Sequence, residues 1–175
     1  MHPFQLLEAL DERCRTHAAG LPEQDDVKEE WVGIGFRLGD QDLLVPMSEV
    51  TEILTYAEYT RVPGVKEWIV GLANVRGNLV SVIDLRQLIT GQRVHSRRDA
   101  RMLVMQNDGW SSAMQVDEVL GLKHFFVEEE TRFLPKLDDS IQPYVTQAFV
   151  RDGQYWPVFS VKKLARDQQF DQVAL

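Results

Sequence analysis

The second half of the chain repeats the order of the first. Ser48-Glu49-Val50 is echoed by Asp117-Glu118-Val119, Val62-Pro63 by Leu134-Pro135, and Val75-Arg76 by Val150-Arg151. VIDLRQLI at 82–89 is echoed by VFSVKKLA at 158–165, with Val82/Val158, Leu88/Leu164 and the capping pair Asp84/Ser160 in register. The separation between partners widens slowly along the chain, as small loop insertions make it. Each match is weak alone, but four in one order imply two copies of one small unit.

Within each unit the texture is that of short strands. WVGIGFRL alternates in part and ends at Gly39-Asp40, a turn signal. LLVPMSEVTEIL follows, then a turn at Val62-Pro63-Gly64. Val65, Trp68, Ile69 and Leu72 have helical spacing, which predicts a helix over 65–72. GLANV and LVSVI flank Arg76-Gly77-Asn78, a hairpin tip. Asp84 is an N-cap for a short helical turn in DLRQLI. Strands at this spacing suggest barrels more than an open sheet.

Residues 1–30 differ. Phe4 to Ala19 has no internal Gly or Pro, and a helical wheel gathers Leu6, Leu7, Leu10, Cys14, His17 and Ala18 on one face. Gly20 and Pro22 stop that helix, and EQDDVKEE at 23–30 is a charged connector. The expected division is therefore 1–30 helix and acidic linker, 31–90 first unit, 91–167 second unit and 168–175 tail.

Charge and motifs narrow the function classes. The formal charge of −8 over 175 residues opposes sequence-independent nucleic-acid binding, which needs Lys and Arg to displace counterions. One cysteine, Cys14, permits no intramolecular disulfide and suits a reducing cytosol. No segment nears the ~20 apolar residues of a membrane span, and the charged start is unlike a signal peptide. Cys14 and His17 have a spacing a metal could use, but no second pair completes a site, and an apolar helix face explains both. Asp84, Asp117, Glu118 and Glu128-Glu129-Glu130 carry carboxylates that nothing in the sequence brings together for acid–base work. Gly33-Ile34-Gly35 lacks the third glycine of a dinucleotide fingerprint, and no nucleophile elbow, phosphate loop or zinc-protease motif is present. Arg93, Arg97, Arg98 and Arg101 read as a basic loop joining the units. Arg76 stands out: a long cation at a hairpin tip is either a surface anchor or a clamp on nearby carbonyls.

IVGLANVRGNLVSVIDLRQLI at 69–89 closely resembles the signature of the CheW family of chemotaxis coupling proteins. FRLGDQDLLVPMSEVTEI, with its Val50, Glu52 and Ile53, resembles that family's opening strands, and MQVDEVLGL its V-D-x-V segment. The resemblance spans about 31–166. It implies a mainly β fold of two SH3-like five-stranded β-barrels, here with an N-terminal helical extension and short helices closing each barrel. It implies no catalysis, cofactor or metal. It implies a cytoplasmic adaptor, recruited to receptor arrays, that joins a CheA-like histidine kinase (through its CheW-like regulatory domain) to a methyl-accepting chemoreceptor tip. By motif, Val50, Glu52 and Gly71 match kinase-contact positions, and Arg76, Val116 and Val119 the receptor-contact side. Ser81 stands where the family often has Pro, and YVTQAFVRDG replaces a glycine-rich stretch. With the N-terminal extension, these departures resemble the coupling proteins of the type IV pilus and twitching system more than those of flagellar chemotaxis. A small-molecule-binding barrel is the alternative of another class. It predicts a concave pocket with converging polar groups, where an adaptor exposes shallow apolar patches.

Overall fold

The computed structural model describes residues 28–55, 57–94, 98–107 and 109–171. In chain order its strands are β1 (Glu30–Leu38), β2 (Gln41–Pro46), β3 (Val50–Leu54), β4 (Tyr59–Thr60), β5 (Ile69–Val75) and β6 (Asn78–Asp84). After helix α1 (Leu85–Thr90) come β7 (Arg101–Asn107), β8 (Trp110–Val116), β9 (Glu118–Phe126), β10 (Glu130–Thr131), β11 (Val145–Arg151) and β12 (Gln154–Phe159). Short helices α2 (Val161–Ala165) and α3 (Gln168–Asp171) follow. The fold is mainly β. The N-terminal helix expected over 4–19 lies outside the described residues.

Two six-stranded sheets share the strands. The first runs β10-β11-β12-β2-β1-β9 and the second β3-β7-β8-β6-β5-β4. In each, one strand has only two residues, which leaves five long ones. Exchanging every strand for its counterpart in the other half (β1 for β7, β2 for β8, and so on) turns the first order into the second, reversed. The parallel pairs β12–β2 and β6–β8 are also counterparts. The sequence repeat is thus a repeat of topology.

The expected boundary near residue 90 does not divide the sheets. The β1–β2 hairpin belongs to the first sheet, but β3 crosses to pair with β7 in the second. Reciprocally, β8 leads into β9, which returns to pair with β1. Ser48-Glu49-Val50 and Asp117-Glu118-Val119 lie at these two equivalent crossovers. The physical reason is edge cover: without β9 and β3, the backbone groups on one side of β1 and β7 would lack ladder partners.

Apolar side chains sort into three clusters. The largest lies between the sheets, with Phe36, Leu38, Leu43 and Val45 from one and Ile83, Leu103, Met105, Met114 and Val116 from the other. Leu85 and Leu88 of α1, and Val161 and Leu164 of α2, bury into it as well. A second cluster fills the curl of the second sheet with Ala73, Val75, Val80, Val82, Met102, Val104 and Ala113. The third does the same in the first sheet with Leu44, Phe125, Phe149 and Val158. Both helices start on the predicted caps: Asp84 Oδ1 accepts from Gln87 N–H at 2.9 Å and Ser160 Oγ from Lys163 N–H at 3.3 Å.

Two local expectations need correction. Residues 65–72 are not helical: Ile69 begins β5, and ladder pairing with β6 overrides the spacing of the apolar residues. Residues 168–171 are not a free tail but form α3, whose Phe170 stacks on Trp68 at 6.1 Å and meets Trp110 at 5.3 Å.

Candidate functional site

Arg76 and Gly77 form the two-residue turn between β5 and β6, with φ of 50° and 84°. Positive φ at both positions is the hairpin turn whose twist matches its strands, and it favours Asn-Gly or Asp-Gly. The equivalent turn in the other half is Asp152-Gly153, with φ of 51° and 75°. An arginine at this position carries backbone strain of about 1 kcal/mol or more. Asn74 steadies the turn, its Oδ1 accepting from Gly77 N–H at 2.8 Å.

From this turn the guanidinium reaches β3. Nε approaches Glu52 Oε2 at 2.9 Å, and a terminal nitrogen donates to Oε1 at 3.0 Å. In the ladder β7 and β8 separate β3 from β6, so the contact spans the open end of the curled sheet. The Arg76 side chain is 79% exposed and that of Glu52 20%. Of the two readings of Arg76, the clamp on nearby carbonyls does not describe it. Its partner is a carboxylate on an edge strand of its own sheet. The first sheet has a similar closure: Arg151 donates from Nε to Glu129 at 2.9 Å and lies over the Phe125 ring at 4.7 Å. That pairing holds the Glu129 carboxyl below its ordinary pKa, with help from the Phe126 N–H. Glu129 thus has a fixed cationic partner within the run Glu128-Glu129-Glu130.

The structure places the other motif residues as follows. Val50 is half-buried opposite Met105, and Val119 is half-buried opposite Phe36; both pack on the inter-sheet core. Val116 is fully buried in that core, so it has no surface to offer a receptor. Its position between two apolar sheets is the physical reason. Gly71 is buried where β5 bulges under β4, and a Cβ there would stand 2.4 Å from the Thr60 carbonyl oxygen. Glu52 and Arg76, which the motif divides between kinase and receptor sides, come together in one ion pair. Only the 24-residue separation hid this from the sequence.

Sequence reasoning missed the exposed apolar residues. Ile53 and Leu79 are exposed on the second sheet, and Leu122 and Tyr155 on the first. Ile53 is the repeat counterpart of Leu122, and Leu79 that of Tyr155, so the repeat register applied to exposure would have found them. The carboxylates considered for acid–base work have other partners. Asp117 accepts from Arg86 at 3.2 Å and from Gly39 N–H at 2.7 Å; Glu118 accepts from Arg37 at 2.7 Å. Asp84 is buried, and desolvation raises its pKa against the opposing hydrogen bonds from Gln87 and Val94. Desolvation likewise raises Glu49, whose Oε2 is buried without a hydrogen bond among the described residues. A cavity of about 330 Å³ opens beside Asp84, lined by Tyr59, Arg61, Lys66, Arg93 and Met102 among others. Among the described residues no cluster of three His, Cys, Asp or Glu could hold a metal ion. Cys14 and His17 lie outside those residues.

Comparison with known proteins adds the following. The CheW-like domain model matches residues 32–169. Protein PilI of Pseudomonas aeruginosa is 43% identical over 173 residues, covering 99% of this chain and 97% of that protein. Chemotaxis protein CheW of Helicobacter pylori is 30% identical over 137 residues, covering 78% of this chain and 76% of that one. The crystal structure of scaffolding protein TtCheW from Thermoanaerobacter tengcongensis superposes with a TM-score of 0.70 over 81% of this chain and 96% of its own, at 20% identity. The last likeness speaks for the fold, in agreement with the two sheets, and the matched span contains every strand from β2 to β12 and all but the start of β1. The chain therefore belongs to the CheW-like domain family.

Proposed function

We propose that the chain is a non-enzymatic adaptor. It couples the cytoplasmic tip of a methyl-accepting chemoreceptor to a CheA-type histidine kinase in a system controlling type IV pili and twitching. The observation that carries this reading is the 43% identity with PilI, which extends over nearly the whole of both chains. The geometry supports it: edge strands β3 and β9 each present one half-buried valine and an exposed aliphatic residue, a surface suited to another β unit. In this reading Val50 and Glu52 serve the kinase side, with Gly71 acting there through the packing of β4 on β5, and Arg76 and Val119 serve the receptor side. Val116 acts only by holding the core. The protein works in the cytoplasm as one domain over about 31–167.

The test is reconstitution. Kinase, receptor fragments in bilayer discs and this chain are combined, and kinase autophosphorylation is followed. Full stimulation only in the three-component mixture is expected. Equal kinase activity with and without the chain overturns the adaptor reading. Restoration of swimming but not twitching in strains lacking their own coupling protein would assign the chain to flagellar chemotaxis instead. The cavity beside Asp84 is the one observation favouring a small-molecule barrel.

A further inference from the structure

The cavity beside Asp84 gathers cations that the fold itself does not use. Its volume of about 330 Å³ lies within the range of small-molecule pockets. Ile69, Val70 and Met102 give it an apolar wall, while Arg61, Lys66 and Arg93 bring three positive charges to it. The side chains of Arg61 and Lys66 have no ion pair or hydrogen bond among the described residues. The two carboxylates of the lining do have partners. Glu67 accepts from the Gln87 side-chain amide at 3.2 Å, and Asp84 from the N–H groups of Gln87 and Val94 at 2.9 and 3.2 Å. Arg93 lies close enough to Asp84 to favour its charged form. The positive charge left over belongs to Arg61 and Lys66. Unpaired charges of one sign around a cleft focus their field into it and raise the local concentration of anions.

The internal repeat supplies a comparison. The connection from β4 to β5, residues 61–68, leaves every one of its side chains at least partly exposed, and the Trp68 carbonyl accepts from Asp84 N–H at 2.9 Å. Its counterpart from β10 to β11, residues 132–144, is longer and sends Leu137, Ile141 and Tyr144 into the core, with the Tyr144 carbonyl accepting from Ser160 N–H at 2.8 Å. The two anchoring bonds are equivalent, but apolar filling from the connection belongs to one half alone. We propose that the cavity beside Asp84 binds a small organic dianion, its apolar body against Val70 and Met102 and its phosphate or dicarboxylate group at Arg61 and Lys66. Several acceptor oxygens on one group suit a guanidinium and an ammonium together, because charge-assisted hydrogen bonds are the stronger kind. Such a ligand meets residues 59–70 and the chain at 93–94 at once, and so ties the β4–β5 edge to the stretch that follows α1.

Titration calorimetry on the full-length chain provides the test, with phenyl phosphate and phthalate as the two dianions and with phenol and inorganic phosphate as their separate parts. Saturable binding of at least one dianion at or below about 1 mM is expected, weakening as sodium chloride is raised. The tighter of the two decides between a phosphate and a dicarboxylate. Lys66→Gln should weaken that binding about tenfold, and Arg61→Gln likewise. Arg61 is exposed, so its variant serves should Lys66→Gln fail to fold. Arg132→Gln, on the counterpart connection, should leave binding unchanged. Failure of both dianions to bind overturns the proposal. So does phenol or inorganic phosphate binding as tightly as phenyl phosphate, which leaves no part for the cations or for the apolar wall, and so does full binding in both variants, which places the site elsewhere. Kinase reconstitution without added anion tests the coupling alone, so the cavity and the adaptor reading can fail separately.

Discussion

At the residue scale, the pairing of Arg76 with Glu52 combines good geometry with poor seclusion. Two directed bonds form, yet the cation is mostly in water, where such pairs contribute about 0–1 kcal/mol. Arg76→Ala should therefore lower the stability read from urea unfolding by no more than that, and Arg76→Asn, which suits positive φ better, should match or exceed wild-type stability. A loss above about 2 kcal/mol for Arg76→Asn would contradict this account of the pair. Gly71 is the opposite case. A methyl group there meets the Thr60 carbonyl oxygen, so β4 must leave β5, and Gly71→Ala should cost about 1–3 kcal/mol by chemical denaturation. If Gly71→Ala melts like wild type, the approach of β4 is not as tight as described. The sequence showed both residues as parts of one motif. It could not show that one is a surface group and the other a packing requirement, because that difference is made by β3 and β4 arriving from elsewhere in the chain.

At the scale of elements, local chemistry was legible and long-range pairing was not. The hairpin tip at Arg76-Gly77, the Gly39-Asp40 turn and both helix caps follow from residue type at fixed offsets. The helical spacing over 65–72 misled because four apolar residues fit either period until β6 selects the extended one. Val116 looked like a contact residue because a motif does not reveal which face of β8 points inward. The caps are unequal. Asp84 accepts from both Gln87 and Val94, whereas Ser160 makes one long bond to Lys163. Asp84→Ala should cost about 1–2 kcal/mol and Ser160→Ala about half as much, measured by urea unfolding at neutral pH. Tyr144 ties the turn before β11 to the end of α2 through its bond to Asp167. Burial, then that carboxylate, push its phenol to about 12 from an ordinary value near 10. The unfolded chain thus releases this proton first, and the stability present below pH 10 falls as pH rises toward 12. Tyr144→Phe should flatten that alkaline decline; an identical slope in the variant would detach it from Tyr144.

At the scale of the whole molecule, strand exchange decides how the chain must fold. The repeat suggests two units that could be cut apart near residue 90, but the sheets deny it. Residues 28–94 contain β1 to β6, yet β3 and β6 are joined only through β7 and β8, and β1 and β2 lose β9 and β12. The same cut exposes Phe36, Leu38, Leu43 and Ile83, which the inter-sheet core keeps within a few per cent of full burial. Burying side chains of this size contributes about 1.5–3 kcal/mol each, against a total stability of about 5–15 kcal/mol for a domain. Loss of that core alone is enough to unfold either half. A polypeptide of residues 28–94 should therefore show no cooperative transition, and the whole chain should unfold in a single step in which fluorescence and circular dichroism coincide. Trp31 and Trp156 report on the first sheet, and Trp68 and Trp110 lie beside Phe170 at the second, so fluorescence samples both. Two separated transitions, or a fragment that melts sharply by itself, would mean that the sheets are stable apart. Separable sheets would leave no reason for each half to lend the other a strand, because the cover that β3 gives β7 and β9 gives β1 binds the two halves only if neither sheet persists without it.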